Sequence, residues 1–356
     1  MLQGKNWMFF MGILVFLLSG CGKTENGETE VSMEGTDSNR EVSFDTRIIW
    51  HSGLLIEEGD LKESGVVYED APITFQDEVA EEMLRNILGK PEGEVYISDL
   101  QEIHAIYWRS SDGRYWSNLQ SPDGKLPHVT GCEEGPWEGK HPESLEDFAY
   151  CYNLQWMEFS GGNEVPSLKP LYELSQLETL CFTDIVVTEE LLEEIGELPA
   201  LKHLEIEDYL AEYTTNWGEF TDGSFLLPLA DRLTFLDAGG GIAWTPNVLA
   251  QLTKMEQLRL KYMEDVSFLE HMPELKQLHM YRCTPEDWSS LASLEKLKFL
   301  EIWGCDRDII EIGLEDLKLI KNLDYLEVKF TALSRKYSKE EIAEALPSLT
   351  GLVVEY

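Results

Sequence analysis

The chain has 356 residues, 43% of them hydrophobic, with 67 acidic side chains against 28 basic ones and a net charge of −39. An excess of that size repels nucleic acid and anionic lipid surfaces, which are bound through basic patches, and leaves cationic groups or calcium as natural counterparts. The chain has no phosphate-binding glycine loop, no Gly-x-Ser-x-Gly elbow and no His-Glu-x-x-His motif, and its seven histidines are scattered. No enzyme activity, cofactor or metal is expected.

Lys5 precedes a mostly apolar run from Trp7 to Leu18. Such a run is too short to cross a bilayer as a helix and has the length of a signal-peptide core. It ends in Leu18-Ser19-Gly20-Cys21, which resembles the bacterial lipobox, where the cysteine is acylated after cleavage before it. The resemblance implies a signal peptide over 1–20, lipidation of Cys21, and a lipid-anchored position on the extracellular face of a bacterial cell membrane. Two acyl chains suffice for stable anchoring. The alternative is an ordinary signal peptide with an incidental cysteine. Residues 21–45 are polar, cannot offset their ordering entropy, and read as a flexible linker.

Residues 46–99 form a region of their own. Ile48-Ile49-Trp50, Leu54-Leu55-Ile56 and Val66-Val67-Tyr68, broken by Gly53, Gly59 and Gly65, are predicted as two or three short strands. From Asp77 to Gly89 the spacing predicts a helix burying Val79, Ala80, Met83, Leu84, Ile87 and Leu88, with Asp77 as N-cap, Gly89 as C-cap and Pro91 beyond. Over 109–146, Asp112-Gly113 and Pro122-Asp123-Gly124 flank Tyr115 and Trp116, the signature of an inserted hairpin followed by a loop. His128, Cys132 and His141 share that loop, but no second pair stands at ligand spacing, so no metal site is assigned.

One pattern then dominates the chain: Leu-x-x-Leu-x-x-Leu-x-hydrophobic. It begins early at Leu100, Ile103, Ile106, Trp108 and resumes at Cys151, Leu154, Met157, Phe159. Further copies place their third apolar residue at Leu180, Leu204, Leu236, Leu258, Leu278, Leu300, Leu326 and Leu352, at intervals of 20 to 32 residues. The last two apolar positions of each copy bracket one residue, the period-two signature of a short strand. A heptad helical bundle is disfavoured because the spacing never settles at 3.6 and Gly or Pro interrupts most units.

The pattern resembles the leucine-rich repeat, and the run from Phe75 through Gly93 and Ile97 to Leu100 resembles the helical cap of internalin-like surface proteins of Gram-positive bacteria. The resemblance implies an α/β solenoid over 100–356: a horseshoe with a parallel concave sheet, short helices and turns on the convex side, and a helical N-terminal cap. A single unit cannot bury its own apolar edge, whereas stacked units merge those edges into one core. In the family the residue three after the second strand hydrophobe is Asn or Cys turned inward. Cys283 and Cys305 hold that position here, in adjacent units, and two buried thiols are expected rather than a bridge. The longest interval holds Tyr209, Tyr213, Trp217 and Phe220 beside Asp222-Gly223, a second insertion over 209–228. A helix near Ser338 to Leu346 precedes the last strand.

The resemblance further implies recognition of a protein or glycan ligand on the concave face. Three rows of that face can be read from the repeats, and they place Phe299 beside Tyr325 and Tyr281 beside Trp303, with Glu301 and Glu327 between. Aromatics framed by charge are typical of binding hot spots. The candidate ligand-binding residues are Trp156, Phe235, Tyr281, Phe299, Glu301, Trp303, Tyr325 and Glu327. Two alternatives stay open: that these large side chains merely cover one another, and that the protein is an assembly partner in the envelope acting through its inserted loops or C-terminal edge.

Overall fold

The computed structural model describes residues 62–109, 114–117, 141–160, 164–183, 185–186, 188–207, 223–238, 244–305 and 309–355. The leader, Cys21, the linker, the runs at 48–50 and 54–56, His128, Cys132, and the aromatics Tyr209, Tyr213, Trp217 and Phe220 lie outside them.

Among the described residues eleven strands form one sheet: β1 (Ala105–Arg109), β2 (Arg114–Ser117), β3 (Trp156–Ser160), β4 (Thr179–Thr183), β5 (His203–Glu207), β6 (Phe235–Ala238), β7 (Gln257–Lys261), β8 (Gln277–Tyr281), β9 (Phe299–Trp303), β10 (Tyr325–Lys329) and β11 (Gly351–Glu355). Their order is β11-β10-β9-β8-β7-β6-β5-β4-β3-β1-β2. All neighbours are parallel except β2, which pairs antiparallel with β1. This is a leucine-rich-repeat solenoid, one strand per copy.

The register follows the repeat without a slip. Leu180, Leu204, Leu236, Leu258, Leu278, Leu300, Leu326 and Leu352 pair in sequence across β4 to β11. From Leu180 to Leu326 each is at most 1% exposed, so the repeated leucine is the spine of a single continuous core. Burying each side chain contributes roughly 1.5–3 kcal/mol. Backbone polarity is handled by an equally periodic device: the carbonyl just ahead of each strand accepts two amides from the following repeat. Gln155 O takes Glu178 N and Thr179 N, Glu256 O takes Lys276 N and Gln277 N, and Asp324 O takes Thr350 N and Gly351 N. These bonds keep the bend into each strand satisfied while its side chains are buried.

The returning segments are short: α-helices α2 (Ile97–Leu100), α3 (Glu189–Gly196), α4 (Pro246–Leu249), α5 (Leu314–Leu317), α6 (Ala332–Lys336) and α7 (Lys339–Ala345), with 3-10 turns between them. Ser338 caps α7 as its position predicts. Ahead of the repeats, α1 (Glu78–Ile87) buries Ala80, Met83, Leu84 and Ile87 in the common core. Asp77 caps it through one carboxylate oxygen, accepting from Val79 N and Ala80 N, and accepts from Glu143 N with the other. Gly89 follows at φ +62°, the left-handed turn that glycine takes most readily. Among the described residues no helix is long and apolar enough to cross a membrane.

Two expectations are corrected. Val66-Val67-Tyr68 forms no strand, and Val67 is 97% exposed. That stretch is held by side-chain amides instead of a ladder: Lys62 N donates to Gln155 Oε1 and Ser64 N to Asn153 Oδ1. Of the two cysteines expected to be buried, only Cys283 is. Its Sγ accepts from Met263 N at 3.5 Å and lies 3.6 Å from Leu260 O, bridging two backbone groups of the preceding repeat. Cys305 stays partly exposed and takes the Arg282 guanidinium, with Nε and Nη2 both at 3.3 Å. Neither thiol is bridged.

Candidate functional site

Because side chains alternate across a strand, residues that flank the core positions share the other face of the sheet. There the pairing aligns Glu158, Cys181, Glu205, Asp237, Arg259, His279, Glu301, Glu327 and Val353 in one row. Trp156, Thr179, His203, Phe235, Gln257, Gln277, Phe299, Tyr325 and Gly351 form the row before it. Tyr281, Trp303 and Lys329 stand in the row after.

Six of the eight candidate residues meet on β8 to β10. Phe299 and Tyr325 stack with centroids 4.6 Å apart and planes within 5°, and the His279 ring lies 4.9 Å from Phe299, tilted by 36°. Tyr325 can lie flat only because its neighbour in β11 is glycine: a Cβ on Gly351 would sit 2.5 Å from Tyr325 Cδ2. Tyr325 Oη donates to Glu327 Oε2 at 3.1 Å, and Lys329 Nζ reaches Glu327 Oε1 at 2.8 Å while lying 4.1 Å above the Trp303 ring. Phe235 and Trp156 stand apart, on β6 and β3. At a strand spacing of about 4.8 Å they are about 14 and 29 Å from β9.

The rows are as predicted, but exposure is not uniform. Tyr281, Trp303, Tyr325, Glu327 and Phe235 are partly exposed, whereas Trp156, Phe299 and Glu301 are only 5%, 6% and 2% exposed. For Phe299 the reason is the stacking itself: the Tyr325 ring lies along the sheet and covers it. Phe299 is therefore a support for the surface and Tyr325 is the surface.

Beside the aromatics, on the same face of the sheet, lies a largely covered polar ladder. Arg259 Nη1 donates to Asp237 Oδ2 at 2.5 Å, with both side chains largely covered. One strand on, His279 Nδ1 and Glu301 Oε2 are also 2.5 Å apart. Burial pushes the Glu301 carboxyl up to about 8, aided by repulsion from Glu327. Burial and nearby Arg259 push the His279 imidazole down to about 4. At neutral pH the pair is therefore a hydrogen bond from a protonated carboxyl to a neutral ring, not an ion pair. Burial and Glu327 likewise raise the Tyr325 phenol. Burial would lower the Lys329 ammonium, but its bonds to Glu327 and Glu355 outweigh that and raise it.

At the end of the strands, Tyr262, Arg282 and Phe330 take left-handed φ values of 59°, 51° and 50°. Each costs roughly 1–2 kcal/mol and each extends the ladder by one bond: Tyr262 N to Tyr281 O, Arg282 N to Trp303 O, Phe330 N to Glu355 O. The twist brings the Arg282 guanidinium 5.5 Å from the Tyr262 ring and 5.9 Å from the Tyr281 ring. His279, Arg259 and Lys329 complete the site without having been singled out among the candidates, although their places in the rows made them visible.

No family model and no curated protein sequence matches the chain. Solved structures do. An internalin C2 from Listeria monocytogenes is 19% identical over 74% of this chain and 98% of its own, with a TM-score of 0.47. A second Listeria internalin, inlF, is 18% identical over 79% and 90%, at 0.39. A leucine-rich-repeat protein of Leptospira interrogans is 19% identical over 59% and 51%, at 0.41.

Proposed function

We propose that the sheet face over β8 to β10 binds a protein or glycan ligand, on a protein held at the outer face of a bacterial membrane through Cys21. The observation that carries this reading is the half-exposed set Tyr281, Trp303 and Tyr325, backed by buried Phe299 and Glu301 and by largely covered His279. Rings fixed from below lose little entropy on binding, which is what makes aromatic anchors effective. The membrane position rests on Leu18-Ser19-Gly20-Cys21 alone.

The test is capture from envelope and host-surface extracts by the wild-type chain and by a Tyr281→Ala/Trp303→Ala variant. Phe299→Ala is unsuitable because it removes a support from under the surface. A partner lost with the variant supports the face; a partner retained moves recognition elsewhere. A second reading, an envelope assembly partner, is favoured by β11. Leu352 and Val354 are only half-buried there, while the equivalent Leu326 and Val328 are fully buried. For the lipid, radiolabelled palmitate should enter the wild type and not Cys21→Ser.

A further inference from the structure

Away from the aromatic face, the segments that follow β7 and β8 border an open cavity of about 670 Å³ whose carboxylates are exposed to solvent. Its lining includes Glu264, Asp265 and Glu270 from one repeat, Glu286 and Asp287 from the next, and Ser290. No lining residue is basic. Glu264-Asp265 and Glu286-Asp287 occupy equivalent positions of successive repeats, so the solenoid sets two acidic pairs side by side. Among the described residues none of the five carboxylates takes part in an ion pair.

Asp265 and Asp287 each accept a backbone amide at 2.8 Å, from Ser267 and Ser289, and those bonds hold both carboxyls below their ordinary range. A separate observation comes from Ser290. It is 3% exposed, lines the same cavity, and its hydroxyl finds no hydrogen-bond partner. A buried hydroxyl normally has one, and an orphan at the wall of an anionic cavity is the acceptor an N–H group would satisfy. Among the described residues no three acidic, His or Cys side chains converge closely enough to hold a metal ion. The negative charge is spread along the cavity rather than focused on a point.

We propose that this cavity binds a linear polyamine-type cation, with two or more alkylammonium groups held by the paired carboxylates and by Ser290. The same chemistry is offered by a free polyamine and by neighbouring lysine side chains of a peptide, and the experiment separates them.

Full-length chain in detergent is titrated calorimetrically with spermidine, tetralysine and calcium at physiological ionic strength, where screening within about 8 Å suppresses general attraction to an acidic protein. The expected result is saturable binding of one cation per chain. It weakens at least tenfold in Glu270→Gln/Glu286→Gln and stays within twofold in Glu340→Gln/Glu344→Gln, which removes the same charge from equally exposed positions outside the cavity, on α7. Ser290→Ala weakens binding several-fold without lowering the melting temperature of the free protein, because its hydroxyl has no bond to lose. Tighter binding of spermidine assigns the site to a free amine, and tighter binding of tetralysine to peptide lysines. Absence of saturable binding, equal weakening in the two charge-matched variants, or calcium outcompeting both amines overturns the proposal.

Discussion

The His279–Glu301 pair makes stability depend on pH in a way that a conventional ion pair would not. In the unfolded chain the glutamate titrates near 4.5 and the histidine near 6.5; in the fold they are displaced to about 8 and about 4. Between pH 4.5 and 6.5 each state holds one proton, the fold on Glu301 and the unfolded chain on His279, so the two contributions cancel. Between 6.5 and 8 the fold keeps a proton that the unfolded chain has lost. Stability therefore falls as pH rises across that interval, by about 2 kcal/mol at roughly 1.4 kcal/mol per pH unit. Glu301→Gln keeps the shape, donates an N–H to the ring and cannot ionise. Urea denaturation at pH 6.5 and pH 8 should show the fall in the wild type and its absence in the variant. An equal fall in both, or a wild type that is level or more stable at pH 8, would refute the protonated-carboxyl assignment.

Other consequences are simpler to read. Gly351→Ala drives a methyl into Tyr325, so it should cost about 1–3 kcal/mol and change tyrosine fluorescence, while Gly65→Ala, with nothing within 4 Å, should leave that fluorescence unchanged. Arg259→Met removes the guanidinium from the buried Asp237 carboxylate and should destabilise by about 3–5 kcal/mol; Asp237→Asn in the same chain should restore much of it, as thermal melts of the single and double variants will show. Leu278→Ala, at an inner strand and 0% exposed, should cost about 2–5 kcal/mol, and Leu352→Ala on half-buried β11 measurably less in the same denaturation assay.

The fold was legible because spacing alone fixes it. Leucines three apart, followed by a bracketed pair, specify the bend, the strand and its core face, and a one-residue slip would turn every leucine outward. The rows of the sheet face followed from the same register, so Phe299 beside Tyr325 and His279 beside Glu301 could be placed from the sequence. What alternation does not convey is how far a ring reaches sideways. Phe299 and Trp156 read as surface and are covered; for Phe299 the clue was Gly351, whose missing side chain lets Tyr325 lie flat and close the stack. The proton on Glu301 was equally hidden, because it depends on burial and on Arg259 and Glu327 one strand away on either side of the pair. Left-handed Tyr262, Arg282 and Phe330 carry no glycine to announce them, although Gly304 stands at the same position in the β9 repeat. Val66-Val67 misleads because it is an apolar run without a ladder, next to a backbone that the side-chain amides of Asn153 and Gln155 hold at Ser64 and Lys62.

The most direct test of the binding face is a photo-crosslinking residue introduced at Tyr281 in living cells, beside the same residue at Leu227, which is exposed on a returning segment. The binding-face reading predicts a discrete adduct from position 281 and none from 227. Adducts from 227 alone, or from neither position, would contradict it.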